Sequence, residues 1–186
     1  MPPVNPRATT PRAQKTRLIS SVAMLVVAAV GVSYYSVRKT NELFDIGVKA
    51  HVQCAVARYG SQSAQASALA DALKAALAAG GMRIVALQTC SAAGREYTHI
   101  VLRQGSDAVS VALTRRGEQE IFPRAFAGHV VNTAGIPIHE ATRGAYRVAA
   151  FDAGPYLAYV VSALPDAESD ALAARLAPLI SQYAAP

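Results

Sequence analysis

Residues 82–114, MRIVALQTCSAAGREYTHIVLRQGSDAVSVALT, decide the fold. Apolar and polar side chains alternate through Met82–Cys90, Glu96–Gln104 and Ala108–Thr114, the two-residue period of strands. Gly94 in SAAGR, and then Gly105-Ser106-Asp107, supply the turns between them. In VSVALT, Val109, Val111 and Leu113 point to one face. Short strands joined by tight turns pair antiparallel, because a parallel pair needs a long crossover.

The pattern extends downstream. Strand character returns at Ile136–Thr142, Tyr146–Asp152 and Tyr156–Ala163, with Gly144 and Gly154-Pro155 at the bends. Between the two sets, residues 115–135 are irregular, with Arg115-Arg116-Gly117, Pro123 and Gly128–Gly135; they read as a loop with room for a short helix. A last helix is predicted over Asp166–Tyr183, with Leu172, Leu176, Leu179 and Ile180 as its apolar stripe, Asp166 as N-cap and Glu168 in its first turn.

Upstream the period is helical. Ala64–Ala79 is Ala-rich, carries the stripe Leu69, Leu73, Ala76 and Leu77, and is stopped by Gly80-Gly81. Asn41–Arg58 places Phe44, Val48, Val52 (or His51), Ala55 and Tyr59 at three- and four-residue steps. Thr40 or Asn41 caps it, Glu42 complements its dipole, Gly60 ends it, and Gly47 is a candidate hinge. These elements predict an α+β domain over residues 40–186: an antiparallel sheet of five to six strands with helices packed on one face. There is no internal repeat.

Residues 18–37, LISSVAMLVVAAVGVSYYSV, contain no charge. Twenty helical residues rise about 30 Å, enough to cross a bilayer core, and Tyr34 and Tyr35 fall where aromatic rings favour the headgroups. The chain carries 18 basic and 12 acidic residues, a net charge of +6. Arg7, Arg12, Lys15 and Arg17 stand before the span with no acid among them, which predicts a cytoplasmic tail at 1–17 and a transmembrane helix at 18–37. That tail, with three prolines near its start and no apolar period, has the composition of a disordered segment. A cleaved signal peptide, with Ala29-Val30-Gly31 as its small-residue site, is the rival reading, and the length of the apolar run argues against it. Nucleic-acid binding is excluded, because the positive charge lies beside the membrane segment and not on the folded part.

One stretch of the chain resembles a known family. A strand ending at Cys90, the Gly94-Arg95 turn, a strand centred on His99 and the strand VSVAL occur in order. They are followed by YLAYVVSALPDAESDALAARL (156–176), which runs into the closing helix. This is similar to the extracytoplasmic domain of bacterial transmembrane anti-sigma-factor-like regulators, over about residues 82–183. The resemblance implies a bacterial inner-membrane protein with a periplasmic or extracellular domain, working within an anti-sigma-type signalling system. Such regulators also carry a cytoplasmic zinc-binding domain with a His-x3-Cys-x2-Cys element. The 17-residue tail here has no His and no Cys, so the resemblance implies the envelope module without the part that grips a sigma factor.

The chemistry-bearing residues are few. Cys54 and Cys90 are the two cysteines, both beyond the span, and an even count in an oxidising compartment predicts a disulfide. The alternative is a zinc or copper site made by His51, Cys54, Cys90 and His99, soft sulfur and imidazole donors that suit either ion. Otherwise His99 reads as a packed mid-strand residue, and His129 and His139 as solvated positions. Ser110 and Ser162 lie inside strands without a nucleophile elbow. Glu118 and Glu120 belong to a surface run, as Asp166, Glu168 and Asp170 belong to a helix start, and no phosphate loop follows a strand. Phe122, Phe126 and Tyr146 flank the irregular stretch, where aromatics make either a partner-binding surface or a satellite core. The function expected is therefore a non-enzymatic envelope sensor or accessory subunit without a cofactor, the alternative being a redox or metal-handling envelope protein that uses His51, Cys54, Cys90 and His99. Its partners are the membrane and another membrane or envelope protein, not nucleic acid or a small-molecule substrate.

Overall fold

The computed structural model describes residues 11–56, 61–118, 120, 122 and 129–185, with side chains from Met24 onward except at 36–37, 39–40, 56 and 62. The chain divides into two units, Met1–Arg38 and Lys39–Pro186. The first is described only as helix, the N-terminal part of α1 (Pro11–Ala50). Its side chains from Met24 to Tyr35 are all exposed, Leu25, Val27 and Tyr34 at 70% or more. Among the described residues no helix is long and apolar enough to cross a membrane. The side chains described begin inside the expected 18–37 span, so its first residues fall outside that statement.

The second unit is an α+β domain. After the end of α1 comes a π-helical turn, His51–Val56, then β1 (Ser61–Gln62) and α2 (Ala64–Ala79). Strands β2 (Arg83–Ala92), β3 (Arg95–Gln104) and β4 (Asp107–Arg115) follow. Next are β5 (His129–Thr133), β6 (Ile136–Arg143), β7 (Tyr146–Ala153), β8 (Tyr156–Ser162) and α3 (Asp166–Ala184). All strands pair antiparallel in one sheet of order β1-β2-β3-β4-β8-β7-β6-β5. Two meanders thus meet at β4 and β8, and the link after β4 carries the chain out to the far edge.

Each consecutive hairpin from β2 to β4 and from β5 to β8 closes in two residues. Ala93-Gly94 and Ala134-Gly135 both have positive φ at each position, while Gly105, Gly144 and Gly154 hold the first position of theirs. These are the turn backbones that match strand twist. Ser63 caps α2, its Oγ accepting from Ala66 N at 3.2 Å. Asp166 is the first helical residue of α3 and not its cap, a position held by Pro165.

Eight strands form among the described residues where five to six were expected. β1 is only two residues long, and β5 lies where a loop was expected. The expected placement of helices on one face also needs correction, because both faces are covered. Leu69, Leu73 and Leu77 of α2 and Leu172, Leu176 and Ile180 of α3 pack on Ile100, Leu102, Val109, Val111, Leu113, Phe151 and Val160. On the opposite face Leu43, Phe44, Ala50 and Cys54 pack on Cys90, Tyr97, Ala112, Ala150, Leu157, Tyr159 and Val161. The reason lies in the central strands. Tyr97–Leu102, Val109–Thr114 and Leu157–Ser162 are buried without a break, so both of their faces need cover.

Gly47 is the contact point of the second face and not a hinge. A Cβ placed on it would stand 2.6 Å from Tyr159 Cδ1, so only glycine lets the helix lie against that ring. Arg143, at the end of β6, fastens the same helix: it donates to Asn41 Oδ1, stands 3.5 Å from Asp45 Oδ1, and lies 5.2 Å over the Phe44 ring.

Candidate functional site: the bridge between the π turn and the sheet

The face under α1 carries the domain's polar chemistry, and strand register puts it there. Gln88, His99, Ala112, Tyr159, Ala150 and His139 form one cross-strand row from β2 to β6. The two alanines flank Tyr159 and leave its ring room. Two residues along β4, on the same face, Ser110 pairs with Val101 and Val161.

The π turn brings its own donors down onto this row. An extra residue per turn is an uncommon helix form that recurs at functional sites. His51 is 1% exposed and Cys54 is 1% exposed, so both reach the sheet. Cys54 is disulfide-bonded to Cys90 with Cα atoms 6.1 Å apart, within the ordinary bridging range. The bridge ties the turn to β2. Gln88 Nε2 donates to the Cys54 carbonyl at 2.7 Å and holds the same turn through its backbone.

Three of the four residues read as a metal set converge. His99 Nδ1 lies 3.6 Å from Cys90 Sγ, and Cys54, Cys90 and His99 each offer a ligand atom within 4.8 Å of the others. His51 lies on the same face, its Nδ1 2.6 Å from Ser110 Oγ and its ring edge-on to Tyr146 at 4.8 Å between centroids. With the disulfide formed, neither sulfur is a thiolate, and the oxidised chain offers histidine nitrogens alone.

Burial governs the electrostatics. It holds His51 neutral, lowering its pKa to about 4, and lowers His99 to about 3 with a smaller push from the His51 charge. Burial raises the Tyr97 hydroxyl to about 12 against the opposing charge of Arg95, and raises Tyr159 further. The Tyr97 and Tyr159 hydroxyls and the Nε2 atoms of His51 and His99 are buried without a hydrogen-bond partner among the described residues.

The Ser110–His51 hydrogen bond has the distance of a nucleophile and its base. Ser110, however, is fully buried, and no third group orients His51 from its other nitrogen. A base held at about 4 is also a poor proton acceptor at neutral pH. The pair is a packing hydrogen bond. Ser162, the other strand serine, shares a 2.6 Å hydrogen bond with Ser169 of α3.

The remaining candidates fall as follows. Phe122 is 5% exposed, stacks on His139 at 4.4 Å and meets Phe44 at 6.0 Å, so its ring is spent on the core. Tyr146 is half-buried against the same core, and Phe126 lies outside the described residues. His139 is buried, correcting its reading as solvated, while His129 is exposed. On the opposite face Arg147 joins β7 to α3: Nε and Nη2 donate to Asp170 at 2.8 and 2.9 Å, and Nη2 to buried Glu140 at 3.1 Å. His129 Nδ1 lies 2.6 Å from the same Glu140 carboxylate. His129, Glu140 and Asp170 cluster closely enough for a cation, but the guanidinium already neutralises both acids.

Three of the clefts on the described part of the domain bear on function. One of about 320 Å³ is lined by Cys54, Ala55, Arg83, Val85, Gln88 and Arg103 and leads to the bridge. Another, of about 740 Å³, runs beside the Ala93-Gly94 turn past Arg95, Arg115 and Arg116, of which Arg95 pairs with Glu120 and Arg116 with Asp152. The third, of about 620 Å³, lies between the start of α2 and the β2 edge.

No protein-family model matches the chain, and no curated protein or solved structure does so either.

Proposed function

We propose that the chain is a single-pass protein of the bacterial inner membrane. Its basic tail lies in the cytoplasm, and its α+β domain, outside it, binds another membrane or envelope protein without catalysing a reaction. The observation that carries this reading is the stretch Met24–Tyr35, MLVVAAVGVSYY, exposed at every described position. A helix apolar on all sides has no stable place in water and calls for a hydrocarbon or protein environment. The four basic residues before residue 18 set the orientation. The Cys54–Cys90 bridge suits an oxidising compartment, which agrees with a domain beyond the membrane.

The sheet offers a partner two open edges among the described residues. β5 pairs only with β6, and Arg83–Ala86 of β2 have no partner strand on their outer side. Such edges present main-chain donors and acceptors to an incoming strand. The test is co-purification of the tagged full-length chain from its native membrane in mild detergent, with mass spectrometry of what accompanies it. A stoichiometric membrane or envelope protein is the expected result. A chain recovered alone, or one released from membranes by alkaline carbonate, overturns the reading.

A further inference from the structure

The donors around the bridge suit a second state. Cys54 and Cys90 are 1% and 6% exposed and His99 is fully buried, with one ligand atom from each lying within 4.8 Å of the others. Two sulfurs on Cα atoms 6.1 Å apart, with His99 Nδ1 3.6 Å from one of them, need little backbone movement to surround an ion. The bonds required are about 2.3 Å to sulfur and about 2.0 Å to nitrogen. We propose that reduction of Cys54–Cys90 creates a buried site for a soft d10 cation, Zn2+ or Cu+, held by Cys54 Sγ, Cys90 Sγ and His99 Nδ1.

An independent feature points the same way. His51 Nε2 is buried without a hydrogen-bond partner among the described residues, while Ser110 fixes that ring through Nδ1. A ring held by one nitrogen with the other unused is the arrangement of a metal-binding histidine and its supporting hydrogen bond. His51 stands outside the set that lies within 4.8 Å, so the π turn has to shift for it to become the fourth donor that tetrahedral Zn2+ requires, whereas Cu+ is satisfied by the three. Gln88 holds the Cys54 carbonyl and so keeps the turn in place when the bridge is open. The cleft of about 320 Å³ lined by Cys54 gives a route in, and Arg83 and Arg103, which line it too, favour thiolate over thiol.

The chemistry balances with a dithiol as reductant. Two-electron thiol–disulfide exchange breaks the Cys54–Cys90 bond, leaves two thiols on this chain, and oxidises the dithiol to its own disulfide. Binding of the cation then releases one proton from each thiol. Oxidation reverses the sequence and expels the ion. The site is independent of whatever partner the domain binds.

The experiment uses the full-length chain in detergent, with and without a phosphine reductant, which becomes the phosphine oxide by taking oxygen from water. Co2+ serves as the optical probe. The expected result is one equivalent of Co2+ in the reduced chain alone, with thiolate-to-cobalt charge-transfer absorption, stoichiometric displacement by Zn2+ and loss of the ion on reoxidation. Competition with a colorimetric Cu+ chelator distinguishes copper from zinc. His99→Gln, close in size but a poor ligand, is expected to weaken binding at least about tenfold and to change the cobalt spectrum. If both thiols react with a thiol reagent yet no metal binds, or if His99→Gln binds with unchanged affinity and spectrum, the proposal fails. Far-ultraviolet circular dichroism covers the case in which reduction unfolds the domain: recovery of the folded spectrum with Zn2+ supports the site, and no recovery overturns it.

Discussion

The two faces of the sheet are covered by helices, yet they are built from different materials. Beneath α2 and α3 the buried side chains are almost all aliphatic: Leu69, Leu73, Leu172 and Leu176 against Ile100, Leu102, Val111 and Val160. The polar groups buried there are partnered: Arg147 neutralises Glu140 and Asp170, and Ser162 shares a hydrogen bond with Ser169 of α3. Beneath α1 and the π turn the buried set includes His51, Cys54, Cys90, Tyr97, His99, Ser110 and Tyr159. Several of these carry a buried polar atom with no partner. A dry aliphatic layer is the cheapest way to stabilise a sheet, whereas unpartnered buried polar atoms cost free energy. The first face therefore explains why the domain folds, and the second is where a function beyond folding has to be sought.

Acid separates the two faces most strongly. Burial lowers His51 to about 4 and His99 to about 3, and lowers His139 as well, against the ordinary 6.5 of a histidine in the unfolded chain. As pH falls below 6.5 the unfolded chain gains protons that the native protein refuses, so stability is complete above 6.5 and is lost on the way down to the folded values. Each such histidine adds a slope of about 1.4 kcal/mol per pH unit within its window, for a total on the order of several kcal/mol near pH 4. Denaturant midpoints between pH 7 and 4 measure this, and His51→Asn is expected to flatten the profile relative to wild type. Equal slopes in the two proteins would mean that His51 is not held neutral by its surroundings.

The aliphatic face responds to volume and not to pH. Leu73, fully buried under α3 and the sheet, is expected to cost about 3–4 kcal/mol when cut to alanine, by lost transfer energy and the cavity left behind. The loss should be the same at pH 7 and pH 5, because no titrating group of the other face touches it. A loss that changed markedly with pH would show that the two faces are coupled through the sheet.

Gly47→Ala tests the packing of the second face. Its Cβ would enter the Tyr159 ring, and the resulting overpacking costs about 1–3 kcal/mol, offset in part by the better helix propensity of alanine. Trimming the ring should relieve it, so Gly47→Ala with Tyr159→Leu is expected to cost less than the two single changes added together. Additive losses in that cycle would mean that helix and ring do not meet at this point.

Much of the architecture was legible because period and turn chemistry are local. Six of the strands and α2 fall at or near their predicted bounds, and α3 ends one residue later than expected. β5 was not legible: HVVNT is five residues long, and it sits inside the Gly128–Gly135 stretch that reads as loop. The covering of both faces had a signal in the unbroken buried runs of β3, β4 and β8, but alternation drew the reading toward a one-sided sheet. In the candidate site, the count of two cysteines suggested a pair without giving their distance. The Ser110–His51 contact joins residues 59 positions apart, and Gly47 meets a ring contributed by β8, so neither follows from local pattern. Long-range register decides both.

The smallest predicted effect probes whether the sheet responds as one body. Ala93 and Ala134 are both held at φ near +50°, at the first position of two-residue hairpins that continue into glycine. The left-handed region costs an L-residue about 1–2 kcal/mol, and asparagine tolerates it better than alanine. Asn-Gly is also the preferred pair for this turn. Ala93→Asn and Ala134→Asn are therefore each expected to stabilise the domain by about 0.5–1 kcal/mol, seen as a higher denaturant midpoint at unchanged slope. The two turns differ in their surroundings: Ala93 closes β2–β3, which the Cys54–Cys90 bridge ties to the π turn, while Ala134 closes β5–β6 at the free edge. Equal gains mean that the edge hairpin unfolds together with the bridged strands. A gain at Ala93 alone, with fast hydrogen exchange in β5, means that the edge opens before the rest, which is the behaviour expected of a strand awaiting a partner.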